Sequence, residues 1–442
     1  MSFYTKPYFF YAQGGQSVNL WIRSDDFDTK IGVNISGSAI AALEANSNAW
    51  NCGDAHSAST LRFVAPINGL YQAEATSTTD GLTGSFKLYI TEGPNASASL
   101  DTGQSNGVGR IIYSPIGDRI FSTELAPYGF PNPPAPNGKL VVINPHTYIT
   151  TSVHNYPTSA LCDCVYNSVD DNVWVWYSGS NGQYFDVYDK TGSAALATYT
   201  ASVDFGGDIP GTFNAPRMVY NPHKNHILMV PVGNNWTTGL NYYIYDCGTH
   251  AMVYSASMEF DGGFGINCTY VTSSKKYYIV SQNYGDIAIK IDSDLYTSGS
   301  SLITSSAMSL TYIPEKDILV GGGNVYTPSG GVRFIDIYNS SEEIIGTVHG
   351  IFDPESNFVY DPSKNCIVVP DDYVAQNEGL EYIDGTTFKP ANFVSCFNDY
   401  PVYGMYYVTY CNSTSTVWVS SWQNGNMIAV VSSIPTGSLP QP

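Results

Sequence analysis

Three carboxylates near the N-terminus could bind a metal ion. Asp25, Asp26 and Asp28 lie in one short polar stretch, and oxygen-rich clusters of this kind suit Ca²⁺. The stretch is not the twelve-residue calcium loop that closes with a glutamate. The alternative is that Asp28 caps a turn while the other two side chains are solvated. Calcium is the one cofactor that the sequence suggests, and no other is expected.

Two further pairs have the residue types of metal ligands. Cys162 and Cys164 flank Asp163, but Cys164 fills a position that is apolar in other copies of a repeat described below, which predicts a small core residue. His223 and His226 have no nearby cysteine or third histidine to complete a zinc site. The Gly-x-Ser-x-Gly pattern of hydrolases occurs once, at residues 103–107, but an apolar strand-like segment follows it and not the helix that a nucleophile elbow requires. The sequence offers no convincing catalytic centre, and we expect a protein that is not an enzyme.

A third group of residues suits binding. Aromatic and acidic side chains fall in four long stretches between apolar segments, at 123–138, 231–240, 321–331 and 370–379. The residues expected to bind a ligand are Tyr128, Phe130, Trp236, Tyr326, Asp371, Asp372 and Tyr373. Aromatic rings among polar neighbours could stack on sugars or anchor a protein partner. The alternative is that these side chains pack among themselves.

A repeat along the chain must position these residues. A tyrosine near the end of an apolar segment recurs at intervals of 42 to 54 residues, and another core-type residue follows seven positions later. The tyrosines are Tyr113, Tyr166, Tyr220, Tyr270, Tyr312, Tyr360 and Tyr410. Polar turn formers follow each tyrosine. A later segment ends in Asp or Asn before a second turn, where such side chains bond to their own backbone.

Seven units of this size, with three or four short strands each, predict a seven-bladed β-propeller over residues 107–433. Stacked sandwiches would not repeat one register seven times, and solenoid units are usually shorter and need end caps. Residues 96–106 are expected to be a linker and 434–442 a tail. The seventh unit lacks an obvious outer strand, so a segment within 97–106 is expected to complete it. The repeat resembles the bacterial YVTN/NHL-like propellers, which implies a binding platform and, in a few cases, an enzyme.

The connections of this repeat are unequal in length. One set of turns is tight, whereas the connections that would lie on the opposite face include the four long stretches named above. Insertions on one face of a repeat fold usually mark its binding face.

Residues 1–95 have a different pattern. Strand-like runs separated by polar turns predict a compact β-sandwich. Four segments resemble the bacterial pre-peptidase C-terminal (PPC) domain in order and spacing: GQSV at 15–18, DFDT at 26–29, FVAPINGLY at 63–71 and GSFKL at 84–88. This resemblance implies a jelly-roll-like accessory module, usually outside the cell, that binds calcium in some relatives.

Charge excludes two classes of partner. Among 442 residues, 18 are basic and 38 acidic, which gives a net charge of −20. Such a field repels phosphate backbones and anionic lipid, so no nucleic acid or membrane surface is expected as a partner. No window approaches 18 consecutive apolar residues, and the N-terminus is unlike a secretory signal. Either the chain is used without export by that route, or a signal has been removed.

The combined features favour a non-enzymatic structural or attachment protein, located on a virion. A composition low in Lys and rich in Ser, Thr, Asn, Tyr and Gly suits a phage tail fibre, receptor-binding protein or capsid decoration protein. The sandwich would dock onto other virion or surface proteins in an oligomeric assembly, and the propeller would face a host glycan or surface receptor. One alternative is a secreted or cell-surface bacterial adhesin or lectin. Another is a propeller enzyme, such as a lyase or lactonase.

Overall fold

A computed structural model describes the strands and turns of most of the chain. The described residues are 6–13, 17–24, 29–35, 43–46, 57–65, 67–77, 84, 86–92, 98–102, 108–124, 138–157, 160–179, 182–201, 217–230, 240–258, 266–281, 288–300, 307–327, 330–349, 357–371, 379–396, 405–421 and 427–432. Within these ranges the protein is all-β, with antiparallel sheets and without a helix. In the same ranges, no helix is long and apolar enough to span a membrane.

The N-terminal strands form two sheets around one core. Strands β1 to β7 comprise Lys6–Ala12, Ser17–Ser24, Thr29–Ile35, Leu43–Asn46, Ser57–Val64, Gly69–Ser77 and Phe86–Glu92. One sheet has the order β1-β6-β3-β4 and the other the order β5-β2-β7. Alternate residues of β2, namely Val18, Leu20 and Ile22, are buried in the core, as the two-residue period of a strand requires. Phe10 and Tyr71 stack there with ring centroids 5.7 Å apart.

The other 28 strands form seven four-stranded antiparallel sheets, which we number repeat sheets 1 to 7 in chain order. Strands β8 to β35 comprise Ala98–Asp101, Val108–Ser114, Arg119–Glu124, Lys139–Ile143, Thr150–Asn155, Ala160–Asn167, Asn172–Gly179, Gly182–Asp189, Ala195–Ala201, Arg217–Asn221, His226–Val230, Leu240–Asp246, Met252–Met258, Ile266–Val271, Lys276–Ser281, Ile289–Asp292, Ser298–Ser300, Ala307–Ile313, Ile318–Thr327, Gly330–Tyr338, Ile344–His349, Val359–Asp361, Cys366–Asp371, Gly379–Asp384, Pro390–Ser395, Met405–Cys411, Thr416–Ser421 and Met427–Ser432. Repeat sheets 1 to 6 each take four consecutive strands, from β9–β12 to β29–β32.

Repeat sheet 7 has the order β33-β34-β35-β8, so its fourth strand precedes repeat sheet 1 in the sequence. Leu100 pairs with Ile428, and Asp101 pairs with Met427. The prediction that a segment within 97–106 completes the seventh unit is confirmed. The segment 96–106, predicted as a linker, therefore contains a strand that belongs to the last sheet.

The repeated tyrosines mark one register position in all seven repeat sheets. Each lies in the first strand of its sheet and pairs directly with the residue seven positions later in the second strand. Tyr166, for example, pairs with Val173, and Tyr360 pairs with Ile367. The spacing in the sequence is therefore the length of one tight hairpin.

In the turn that follows each tyrosine, the residue five positions after the tyrosine adopts the left-handed backbone conformation. The backbone φ angles at these seven positions lie between 51° and 55°. The residues are Asp118, Asp171, Asn225, Lys275, Asp317, Asn365 and Ser415. Asp and Asn tolerate this conformation better than most other side chains. In repeat sheets 1, 2, 3, 5 and 6 the tyrosine hydroxyl also donates to the Asp or Asn side chain, over 2.8 to 3.0 Å.

A second turn, between the third and fourth strands, uses the Asp or Asn that was predicted to bond to its own backbone. Asp384 Oδ1 accepts the backbone N–H groups of Thr386 and Thr387 at 2.9 and 2.6 Å. Asn339 Oδ1 accepts those of Ser341 and Glu343 in the same way. These bonds satisfy amide groups that the sheet does not use.

The repeat sheets pack face to face in a cyclic order. The first strand of each sheet contacts the first strand of the next, and β33 of sheet 7 contacts β9 of sheet 1. Seven apolar clusters follow the same order, each formed by facing sides of sheets 1 and 2, 2 and 3, 3 and 4, 4 and 5, 5 and 6, 6 and 7, or 7 and 1. Strands β2 and β7 of the N-terminal sheets contact β32 of sheet 6.

One predicted loop is wrong. The stretch 321–331 was expected to be a long connection, but β26 continues to Thr327 and β27 begins at Gly330. One of its glycines, Gly321, lies in β26 where a larger side chain would be crowded. A Cβ atom on Gly321 would lie 3.2 Å from both Leu310 and Tyr338.

Candidate functional site

Most of the predicted binding and calcium residues lie outside the described residues. This applies to Tyr128, Phe130, Trp236, Asp372 and Tyr373, and to Asp25, Asp26 and Asp28. The backbones of the other two predicted residues are described. Tyr326 pairs with Gly331 near the end of β26, and Asp371 pairs with Gly379 at the end of β30. Both positions lie where a second strand connects to a third, so they occupy corresponding ends of repeat sheets 5 and 6.

A row of polar residues that the sequence analysis did not select lies on the first strands or just before them. Each residue lies three positions before the repeated tyrosine, while the residue after it is apolar or cysteine. The row, which we call the inner polar row, consists of Arg110, Asp163, Arg217, Asn267, Ser309, Asn357 and Tyr407. The signal was therefore present in the repeat, because one polar position recurs next to an apolar position in all seven units.

An ion pair in the inner polar row joins three repeat sheets. Arg110 Nη1 on β9 donates to Asp163 Oδ1 and Oδ2 on β13, over 3.0 and 2.8 Å. The same nitrogen donates to the carbonyl oxygen of Met218 on β17 at 3.1 Å. Asp163 also accepts the backbone N–H groups of Cys164 and Met218 at 2.8 and 2.6 Å. The Asp163 side chain is 1% exposed and that of Arg110 is 26% exposed.

The electrostatics of this group favour the charged pair. Burial disfavours the charged guanidinium and is the largest single effect, but the interactions with Asp163, Cys164 and Tyr407 together outweigh it and raise the pKa of Arg110 above its usual value. Burial, and then the nearby Asp163, raises the pKa of the Cys164 thiol. Cys164 therefore remains a neutral thiol in the core between sheets 1 and 2, as its repeat position predicted. It is not a nucleophile at neutral pH.

A second member of the inner polar row makes the same kind of bridge. Asn357 Oδ1 accepts the backbone N–H of Val408, and its Nδ2 donates to the carbonyl oxygen of Val408, both over 2.9 Å. Asp163 reaches Met218 in the next sheet as Asn357 reaches Val408, because both pairs occupy equivalent repeat positions. The row thus joins sheets whose first strands are not paired with each other.

The two histidines whose residue type suits zinc, His223 and His226, make other contacts. His223 Nε2 lies 3.1 Å from the carbonyl oxygen of Thr272. His226 Nδ1 lies 3.1 Å from the hydroxyl of Tyr296, and its Nε2 lies 3.4 Å from Asp246. Among the described residues, no three His, Cys, Asp or Glu side chains form a group that could hold a metal ion.

A serine, a histidine and an aspartate also meet at the tight turns, but not as a catalytic triad. Ser413 Oγ donates to Asp118 Oδ1 at 2.5 Å, and His146 Nε2 lies 2.7 Å from Asp118 Oδ2. Both side chains bond to the carboxylate, whereas an activated nucleophile must bond to the base itself. The contact links repeat sheet 7 to repeat sheet 1.

Comparison with known proteins gives no family for this chain. No protein-family model matches the sequence, and no curated protein matches it. The likeness of residues 1–95 to the PPC domain and that of the repeat to YVTN/NHL-like propellers stay predictions.

Proposed function

We propose that the seven repeat sheets are the blades of one closed β-propeller, carried behind a PPC-like β-sandwich. The cyclic order of first-strand contacts and of the seven apolar clusters supports a ring. The fourth strand of sheet 7 comes from before sheet 1, so the last sheet joins the two ends of the repeat region, as closure of a ring requires. The bond between Ser413 and Asp118 adds a polar link at the same junction.

The protein is, on this proposal, a non-enzymatic attachment component of a phage virion. The observation that carries it is an exposed apolar patch on the N-terminal sheet, formed by Phe9, Tyr11 and Leu70, which are 46% to 57% exposed. Phe9 and Tyr11 project from the same side of β1, and Tyr11 pairs with Leu70 on β6. We call these three residues the β1 patch.

The β1 patch lies on an edge strand, since β1 is the first strand in the order β1-β6-β3-β4. Exposed edges with large apolar side chains associate readily. Lys6 and Pro7 protect only the start of β1, and Phe9 and Tyr11 lie beyond them. A partner surface would cover the apolar side chains along the outer side of β1. The sandwich would then dock on the assembly and leave the long connections of the propeller available for a receptor or glycan.

The first test of this proposal is to locate the native protein. Mass spectrometry and electron microscopy of particles from the source culture are expected to find it at a fixed stoichiometry on a virion. Recovery only from the free secreted fraction would contradict the virion role and favour the adhesin or lectin alternative.

A paired substitution tests the docking surface itself. Phe9→Ser combined with Tyr11→Ser is expected to abolish incorporation into particles, because it removes most of the aromatic area of the β1 patch. Leu196→Ser is the matched control, since Leu196 is 63% exposed but lies on β16 of repeat sheet 2. Equal incorporation of the two variants would show that β1 is not the docking surface.

A further inference from the structure

Arg110 has hydrogen-bonding capacity that the described part of the chain does not use. Every bond from its side chain to a described residue leaves from Nη1. A guanidinium is a planar fork with donors on all three nitrogens, so Nε and Nη2 keep N–H groups for another acceptor. The Arg110 side chain is 26% exposed, so a ligand can approach it from solvent. Burial of the rest of the side chain disfavours its positive charge.

The position of this fork is fixed by strands from several sheets. Arg110 lies in repeat sheet 1 and bonds to Met218 in repeat sheet 3, with Asp163 of sheet 2 between them. Tyr407 of repeat sheet 7 adds to the electrostatic environment of Arg110. Since all four residues lie on first strands, the guanidinium faces the inside of the proposed ring. An arginine that Asp163 and Met218 already hold through Nη1 loses little side-chain entropy when it binds a ligand.

Among anions, a singly charged one meets the least repulsion at this site. Asp163 already accepts bonds from Arg110 and from two backbone N–H groups, so its oxygens are poorly placed to hold a cation. The Arg110–Asp163 pair has no net charge, and the protein carries −20 overall. A phosphate dianion would meet more repulsion than a carboxylate. A carboxylate also matches the two parallel N–H groups of an arginine fork.

We propose that Arg110 binds the carboxylate of a small ligand inside the ring of first strands, with Nε and Nη2 donating to its two oxygens. Asp163 is a positioning residue in this site, because it holds Nη1 and turns the opposite side of the fork toward the ligand. The site needs the first strands of the repeat but not the virion role. A protein that is absent from every particle would still bind the carboxylate.

The test is a titration of the full-length protein with D-glucuronate, acetate and D-glucose. Calorimetry is expected to give dissociation constants on the order of millimolar for glucuronate. Acetate binding as well would identify the carboxylate alone as the ligand, whereas glucuronate binding alone would identify an acidic sugar. Both results support the site. Glucose binding equal to that of glucuronate would overturn it, because the carboxylate would then contribute nothing.

Arg110→Lys keeps the positive charge at this position but removes the planar guanidinium. We expect this variant to bind glucuronate about tenfold more weakly, since an ammonium cannot donate two parallel bonds. Arg119→Lys is the matched control, because Arg119 lies on the adjacent strand β10 near the opposite end of the same sheet. Unchanged binding in Arg110→Lys, or equal loss in both variants, would refute the assignment.

A second measurement does not depend on the variant folding. The chain has six arginines, so their Nε–H signals form a small set in ¹⁵N NMR spectra of the wild-type protein. Glucuronate is expected to shift the Nε–H signal of Arg110. That signal is assigned as the one missing from the spectrum of Arg110→Lys. If this variant does not fold, the signal is assigned by elimination, with variants of the other five arginines. A titration that moves no arginine Nε–H signal would overturn the proposal.

Discussion

At the scale of single residues, the repeated tyrosine stabilises the turn that follows its own strand. Its ring lies in the first strand, and in five repeat sheets its hydroxyl donates to the left-handed Asp or Asn five positions later. In repeat sheets 4 and 7 the left-handed position holds Lys275 and Ser415 instead. These two residues bear the strain of a positive φ without the side chain that best tolerates it.

Replacing Ser415 by Asn is therefore expected to stabilise the protein. Asn tolerates the φ of 53° better than Ser, and its Oδ1 could accept the hydroxyl of Tyr410 as Asn365 accepts that of Tyr360. We expect a gain of about 1 kcal/mol in the free energy of unfolding, measured by chemical denaturation.

A double-mutant cycle with Tyr410→Phe separates the two contributions to that gain. The part that comes from the hydrogen bond should disappear when Ser415→Asn is combined with Tyr410→Phe, while the part that comes from backbone tolerance should remain. If Ser415→Asn gives the same gain with and without Tyr410→Phe, the tyrosine hydroxyl does not act through the left-handed residue.

At the scale of elements, the turns between third and fourth strands depend on one Asp or Asn side chain each. The backbone N–H of Thr387, followed by that of Thr386 and by the Thr387 hydroxyl, lowers the pKa of Asp384 below its usual 3.8. Because the folded-state pKa is lowered, the stability that Asp384 contributes is fully present above the unfolded value. It is lost as the pH falls through the folded pKa.

Asp384→Ala is expected to lower the free energy of unfolding by about 1 kcal/mol at neutral pH. The difference from wild type should shrink as the pH falls from about 4 to about 2, because the wild-type carboxylate is then protonated. Asp384→Asn is the control, since Asn144 and Asn339 fill this position in repeat sheets 1 and 5. A difference between Asp384→Ala and wild type that stays constant in acid would contradict the role of the charge.

The sequence was a good guide to elements and a poor one to contacts between them. The seven-residue spacing from Tyr166 to Val173 predicted a hairpin register because both residues belong to one local unit. The stretch 321–331 was predicted to be a loop, but Gly321 packs in a strand between Leu310 and Tyr338, a contact that the local sequence does not show. Arg110 and Asp163 lie 53 residues apart in different sheets. Their meeting depends on how those sheets pack, which no local pattern encodes.

At the scale of the whole molecule, each repeat sheet buries both of its faces against its neighbours. The cluster between sheets 7 and 1 contains Ile111 and Val141 from one side and Trp418 and Val430 from the other. Leu100 on β8 packs against this cluster. The stability of the junction therefore depends on a strand that lies outside the seventh unit in the sequence.

Leu100→Ala is expected to lower the free energy of unfolding by about 2 kcal/mol, because it removes apolar contacts from the cluster between sheets 7 and 1. Leu196→Ala is the matched control, since Leu196 also lies on a fourth strand but is 63% exposed. Thermal unfolding monitored by circular dichroism compares the two variants. Equal midpoints for Leu100→Ala and wild type would show that β8 is dispensable for the junction.

The pairing of β8 with β35 also has a consequence for synthesis on the ribosome. β8 emerges before any repeat sheet has been made, whereas β35 is the last of the repeat strands to be translated. During that interval β8 has an unpaired edge that can associate with other chains. A nascent chain interrupted before Met427 keeps this edge, together with an uncovered apolar side on repeat sheet 1. A stable repeat region thus forms only after β35 has been translated, which separates chains that contain β35 from chains that stop before it.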